Sequence, residues 1–188
     1  MTGVQTGVET GFPYCSACGK KLPGRPPVTC AACGVEHWAN AKPCSGALAM
    51  RDGRLLLARR AKQPWAGHWD IPGGFCGGQE HPIDCAAREA REESGFEIEI
   101  TGFLGLWLDR YPDPADPQHP KWTLNAYYHA RAGAEVGPPD HETIEVGWFE
   151  PDALPDDIAF PDHALPVLAA WRDALKEGRT VTPLPDRL

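Results

Sequence analysis

Three glutamates stand out by type and spacing. Glu89, Glu92 and Glu93 fall at i, i+3 and i+4, so on a helix they share one face. Carboxylates that close repel one another, which raises at least one pKa unless something compensates. A divalent cation is one compensation, and all-oxygen ligation suits Mg2+ or Mn2+ rather than zinc. The chemistry implied is metal-assisted displacement at phosphorus. A solvated acidic face salted by Arg88 and Arg91 is the plain alternative. A second cluster uses softer ligands. Cys15-x2-Cys18 and Cys30-x2-Cys33 fit two knuckles gripping one tetrahedral Zn2+. Four thiolates leave no open position, so such a zinc folds its segment and does not catalyse. Two disulfides are the alternative. His37 is a reserve ligand.

The residues before the glutamates decide between the readings of that face. Gly74 is followed by five residues and Glu80, then by seven residues and Arg88-Glu89, then by Ala90, Arg91, Glu92-Glu93, Ser94, Gly95 and Phe96. This resembles the Nudix box, G-x5-E-x7-R-E-U-x-E-E-x-G-U with U apolar, and every fixed position is filled. Gly67 to Gly74 resembles the family's G-x-W-x-x-P-G-G lead-in. Trp148-Phe149 with Leu154-Pro155 resembles its downstream W-F and L-P element.

The resemblance implies hydrolysis of a nucleoside diphosphate linked to a moiety X, giving a nucleoside monophosphate and phosphorylated X. It assigns Glu89, Glu92 and Glu93 to the divalent ions, together with the Gly74 carbonyl. Glu80 and Arg88 become an ion pair that orients loop and helix. A further carboxylate near the W-F element is expected, with Glu145 preferred over Glu142. A short zinc ribbon before a Nudix domain resembles family members acting on ADP-ribose, FAD or NADH. Ile158-Ala159-Phe160 favours the ADP-ribose and FAD group, with NADH a further candidate. An adenine pocket follows, for which Trp107, Tyr111, Trp122 and Tyr127 are aromatic candidates; each is also an ordinary core or surface residue. Many relatives dimerise, so a homodimer is expected. Two other functions share these features: a ligand-sensing regulator whose ribbon binds nucleic acid or protein, and a house-cleaning enzyme for nucleoside triphosphates.

The elements that must hold these residues can be read locally. His81 can cap a helix, Pro82 suits its first position and Asp84 its first turn. Ile83, Ala86, Ala87 and Ala90 form its buried stripe, and Gly95 is placed to end it. Asp52-Gly53 between two apolar runs signals a hairpin. Pro72-Gly73-Gly74 reads as loop, and Asn40 to Pro43 as linker. Strands are expected at 96–107, 122–130 and 144–149. A final helix is expected from Asp162 to Glu177, with Leu165, Leu168, Trp171 and Leu175 inward. The proline-rich stretch from Asp109 to Pro120 reads as a long loop and a candidate lid.

The resulting expectation is α+β: a Nudix α/β/α sandwich with a mixed sheet, preceded by a small zinc ribbon. Residues 1–13 are expected to be a flexible tail, 14–38 the ribbon and 39–188 the Nudix domain. The chain has 188 residues, 42% hydrophobic and 23% charged, with a net charge of −8. That acidity argues against a nucleic-acid backbone as partner, because such binding depends on Lys and Arg. No apolar run approaches the ~20 residues that span a bilayer. Met1 to Gly11 has neither the basic start nor the apolar core of a signal peptide, so the cytoplasm is the expected compartment.

Overall fold

The computed structural model describes residues 13–111 and 121–179. The expected tail therefore lies almost wholly outside the described residues, as does the body of the expected lid. The chain divides into two compact units. The first holds the chain up to Lys42 and the described residues of 110–123. The second holds 43–109 and 124–188. Among the described residues no helix is long and apolar enough to cross a membrane.

In the first unit, β1 (Val28–Thr29) and β2 (Glu36–His37) pair antiparallel, with Val28 opposite His37. Cys15, Leu22 and Cys30 are buried together, with Val28 against them. A core of that size leaves the segment dependent on some other tie.

The second unit is built on a seven-stranded sheet. Its strands are β3 (Lys42–Arg51), β4 (Arg54–Arg60), β5 (Trp69–Asp70), β6 (Gly73–Phe75), β7 (Phe96–Tyr111), β8 (Lys121–Glu135) and β9 (Thr143–Phe149). The main path runs β5-β4-β3-β8-β7, while β6 pairs with β3 and β9 with β4. These last pairs, β3–β4 and β4–β5 are antiparallel, and Trp69 makes a parallel bridge to Ile158, so the sheet is mixed. Asp52 and Gly53 both take positive φ, 51° and 79°, as a two-residue hairpin turn requires.

Both faces of the sheet are covered, which is why its central strands read as nearly unbroken apolar runs. Ala47, Ala49, Leu56, Ala126 and Tyr128 face α1 (Pro82–Ser94) and meet Ile83, Ala86 and Ala90. Leu48, Leu55, Leu57 and Tyr127 face α2 (Pro161–Lys176) and meet Val167, Leu168 and Trp171. The strict alternation of these two sets is the period of two expected of a strand. The α/β/α sandwich is thus present.

The local readings hold well at α1. His81 Nδ1 accepts from Ile83 N–H at 3.2 Å, Pro82 opens the helix, and Gly95 at φ 76° ends it. Elsewhere the boundaries move. Lys42 and Pro43 belong to β3 rather than to a linker, and β7 runs on through Asp109 to Tyr111. Gly73 and Gly74 form a short strand instead of loop, because two residues without side chains can lie directly on β3. The buried stripe of α2 keeps Leu168, Trp171 and Leu175 of the expected set and departs at Leu165. Ala164, Val167, Leu168, Trp171 and Ala174 are inside, while Leu165 is 48% exposed.

Candidate active site

The site is assembled where β6 lies against β3 and under α1. Gly73 pairs with Gly46 and Gly74 with Ser45. A Cβ on Gly73 would sit 2.6 Å from Gly46 Cα and from the Ser45 carbonyl oxygen. A Cβ on Gly74 would sit 2.6 Å from the carboxylate carbon of Glu89. Absent side chains on β6 therefore let backbone meet backbone on one side and helix carboxylates reach the strand on the other. Ser45 pins the arrangement, donating from Oγ to the carbonyls of Pro82 at 2.7 Å and Ala126 at 3.0 Å.

Arg88 organises the carboxylates along α1. Its Nε and Nη2 bind Glu80 at 2.7 and 2.9 Å, a bidentate pair. Its Nη1 lies 2.8 Å from Glu89 and 3.1 Å from Glu92. Glu80 also accepts from Gly77 N–H at 2.9 Å, which closes the loop between β6 and α1. Bonds from Arg88, then from Gly77, hold the Glu80 carboxyl down at about 2. Those same partners keep the Arg88 guanidinium firmly charged. Burial pushes Glu89 up, against the pull of Arg88.

Glu93 is set apart. It accepts from Gly73 N–H at 2.9 Å. Burial, then the nearby negative charge of Asp70, pushes its carboxyl up to about 8. Asp70 is itself raised by burial and drawn back by Arg60, whose Nη1 lies 2.9 Å away. Arg60, Lys62, Asp70, Glu93 and Glu142 line one small cavity.

Glu80, Glu89 and Glu92 are thus joined through Arg88, with Gly74 against Glu89, while Glu93 reaches the same strand through Gly73 N–H. Glu145 stands elsewhere: it is 54% exposed and pairs with Arg59 at 3.4 Å. Glu142, the second choice, shares the cavity with Glu93 and binds Lys62 at 2.9 Å. Asp70, Arg60 and Lys62 were not singled out by spacing. The available signal was local: charged residues set against the apolar run ending at Ala58 and between Trp69 and Ile71.

Of the aromatic candidates, Tyr127 is buried, with Trp107 edge-on to it at 5.8 Å. Cys85 is buried against the Gly74 carbonyl at 3.8 Å, and burial pushes its thiol up. Burial likewise raises Cys76.

In the first unit the sulfurs of Cys15, Cys18, Cys30 and Cys33 all lie within 4.8 Å of one another. Cys15 and Cys33 are 3.6 Å apart, Cys18 and Cys30 3.7 Å. Those are not disulfide lengths, and all four are free thiols. They match the corner separation of about 3.8 Å in a tetrahedron with Zn–S bonds of about 2.3 Å. Backbone N–H groups of Ala32 and Cys33 lower the Cys30 thiol, while Cys18 and Cys33 are raised beside it. His37 Nε2 lies 3.2 Å from Cys15 Sγ, a contact to a sulfur already in the set.

A profile of the NUDIX domain matches residues 42–169. The chain belongs to the Nudix hydrolase family. This Nudix hydrolase is similar to the NAD-capped RNA hydrolase NudC of Stutzerimonas stutzeri (strain A1501), 31% identical over 146 residues, which are 76% of this chain and 49% of that protein. A MutT-like protein of Streptomyces ambofaciens is 27% identical over 115 residues, 61% of this chain and 67% of that one. The chain spans about half the length of the NudC relatives it matches, 49% in the Pseudomonas fluorescens protein as well. A crystal structure of a Nudix hydrolase from Nitrosomonas europaea superposes with a TM-score of 0.74 at 25% identity, covering 92% of this chain and 97% of that one.

Proposed function

We propose that this Nudix hydrolase cleaves the phosphoric anhydride of an ADP-X compound, giving AMP and phosphorylated X, with Mg2+ or Mn2+ as cofactor. The observation that carries the reading is the placing of Arg88, Glu89, Glu92 and Glu93 of α1, with Glu80 of the preceding loop, beside the glycines of β6. X is read as ribose, riboflavin or a nicotinamide riboside. ADP-ribose and FAD follow from the sequence, and NAD-type dinucleotides gain weight from relatives named NAD-capped RNA hydrolases.

The donor set fits a hard divalent cation. It is all oxygen, and Glu93 is a carboxyl buried beside a second acid, Asp70, which an added positive charge would relieve. Glu89, Glu92, Glu93 and the Gly74 carbonyl are its proposed holders. When bound, such an ion neutralises the diphosphate and makes a coordinated water more acidic. The chain's own residues supply the positioning. Arg88 keeps Glu89 and Glu92 ordered while its bond to Glu80 fixes the loop. Gly73 N–H holds Glu93. Arg60 and Lys62 place positive charge in the small cavity beside Glu93, as the partners of Asp70 and Glu142. Glu142 is the proposed distal carboxylate, by its place in that cavity. Zinc is proposed to fold the ribbon through Cys15, Cys18, Cys30 and Cys33, apart from the chemistry.

The test is a substrate panel of ADP-ribose, FAD, NADH and nucleoside triphosphates, incubated with Mg2+ or with excess chelator. AMP formation from one ADP-X compound, lost with chelator, is the expected result. Cleavage of triphosphates alone would contradict the specificity, and no cleavage of any member would contradict the reaction.

A further inference from the structure

We propose that Tyr127 is a positioning residue for the Gly73 amide that holds Glu93, and that His163 fixes where Tyr127 sits. The inference deepens the proposed function, since it rests on Glu93 belonging to the reacting site.

The contacts form one continuous chain through the second unit. Tyr127 projects from β8 toward α2. Its ring occupies the space left by Gly46, where a Cβ would lie 2.7 Å from Tyr127 Cε1. Gly46 is the register partner of Gly73, and their backbones touch. Gly73 N–H donates to Glu93 Oε2 at 2.9 Å. On its other side the Tyr127 hydroxyl shares a hydrogen bond with His163 Nε2 at 2.8 Å, and the two rings lie 29° from parallel. His163 Nδ1 is 2.8 Å from Asp109 Oδ2, without the geometry of a hydrogen bond.

All three side chains are buried, Tyr127 6%, His163 7% and Asp109 8% exposed. A phenylalanine would fill the same apolar space without burying a hydroxyl. What the hydroxyl adds is direction. In surroundings of low dielectric a bond to imidazole restrains the swing of the ring, and with it the Cε1 edge that lies over Gly46. Close-packed neighbours with no side chain between them pass a displacement on rather than absorbing it. A shift of the Tyr127 ring therefore presses on Gly46 of β3, and through that pairing on Gly73 of β6.

The experiment compares Tyr127→Phe, His163→Leu, the double variant and His163→Gln in the full chain. Amide hydrogen exchange at Gly73, read by NMR, reports the Gly73–Glu93 bond without any substrate. Exchange is expected to quicken about tenfold in Tyr127→Phe and in His163→Leu, with no further increase in the double variant, because both remove one shared bond. His163→Gln keeps an amide that can bond the phenol and is expected to stay within about twofold of the parent. Amides of the β4 core, Leu55 to Leu57, serve as reference. On an active substrate, kcat should fall with KM nearly unchanged, and His163→Gln should restore it. Unchanged Gly73 exchange in Tyr127→Phe overturns the proposal. So does equal quickening of Gly73 and the β4 amides, which would mean general loosening. If Gly73 responds as expected but Glu93→Gln hydrolyses normally, the positioning stands and the reading of Glu93 fails.

Discussion

Gly73 and Gly74 are neighbours with different constraints, and substitution should separate them. A methyl at Gly73 meets backbone, Gly46 Cα and the Ser45 oxygen, both at 2.6 Å. Backbone cannot step aside, so Gly73→Ala should cost about 1–3 kcal/mol of stability, read from the urea midpoint. A methyl at Gly74 meets only the far end of Glu89. Gly74→Ala should therefore cost under about 1 kcal/mol while displacing that carboxylate and lowering hydrolysis at least about tenfold. At this scale the box was legible because its glutamates on α1 lie within two helical turns, where spacing determines which side chains share a face. Asp70 and Arg60 were not legible, because they meet only through the pairing of β4 with β5. The different surroundings of Glu142 and Glu145 were hidden for a related reason. Arg59 pairs with Glu145, but the register shifts between Arg59 and Arg60, so Arg60 faces Thr143. Such an irregularity re-aims side chains in a way no local pattern announces.

The ends of α1 carry the element-scale account. Gly95 stops the helix at φ 76°, and a Cβ there would lie 2.1 Å from the Gly137 carbonyl oxygen. Gly95→Ala should cost more than about 2 kcal/mol, since a left-handed backbone penalty is joined by a clash with backbone; thermal and urea unfolding would show it. At the other end the Glu80–Arg88 pair ties the loop to the helix. Its carboxyl is held at about 2, below its value in the unfolded chain. The unfolded state therefore binds the extra proton between those two values, and stability rises with pH across that window. The pair's contribution should be complete above about pH 5 and fade as pH falls from about 4.3 toward 2. The difference in urea midpoint between the parent and Glu80→Gln, followed from pH 6 downward, should shrink accordingly; a difference independent of pH would contradict it. The caps of α1 were legible because capping is local chemistry. The stripe of α2 was legible at Leu168, Trp171 and Leu175 but not at Leu165, in whose place the smaller Ala164 is buried. Which face of a helix is inside depends on what the sheet presents, not on its largest residues.

For the whole molecule, alternation and turn residues revealed the strands but not the order β5-β4-β3-β8-β7, which depends on pairings distant in sequence. The strand character of Gly73 and Gly74 belongs here too, since only β3 makes them a strand. In the first unit the paired cysteine spacing pointed to one site, and the four sulfurs do converge. Purified protein should contain about one zinc per chain by elemental analysis, and Cys30→Ser should lose most of it. Protein with no bound zinc would contradict that assignment. The central claim is that the α1 carboxylates run hydrolysis of an ADP-X diphosphate. Its most direct measurement is the rate of AMP release by Glu93→Gln beside the parent, on the best ADP-X substrate at saturating Mg2+, with both proteins checked as folded. The account expects the variant to lose at least about a thousandfold in kcat. A folded Glu93→Gln that releases AMP at the parental rate would contradict it.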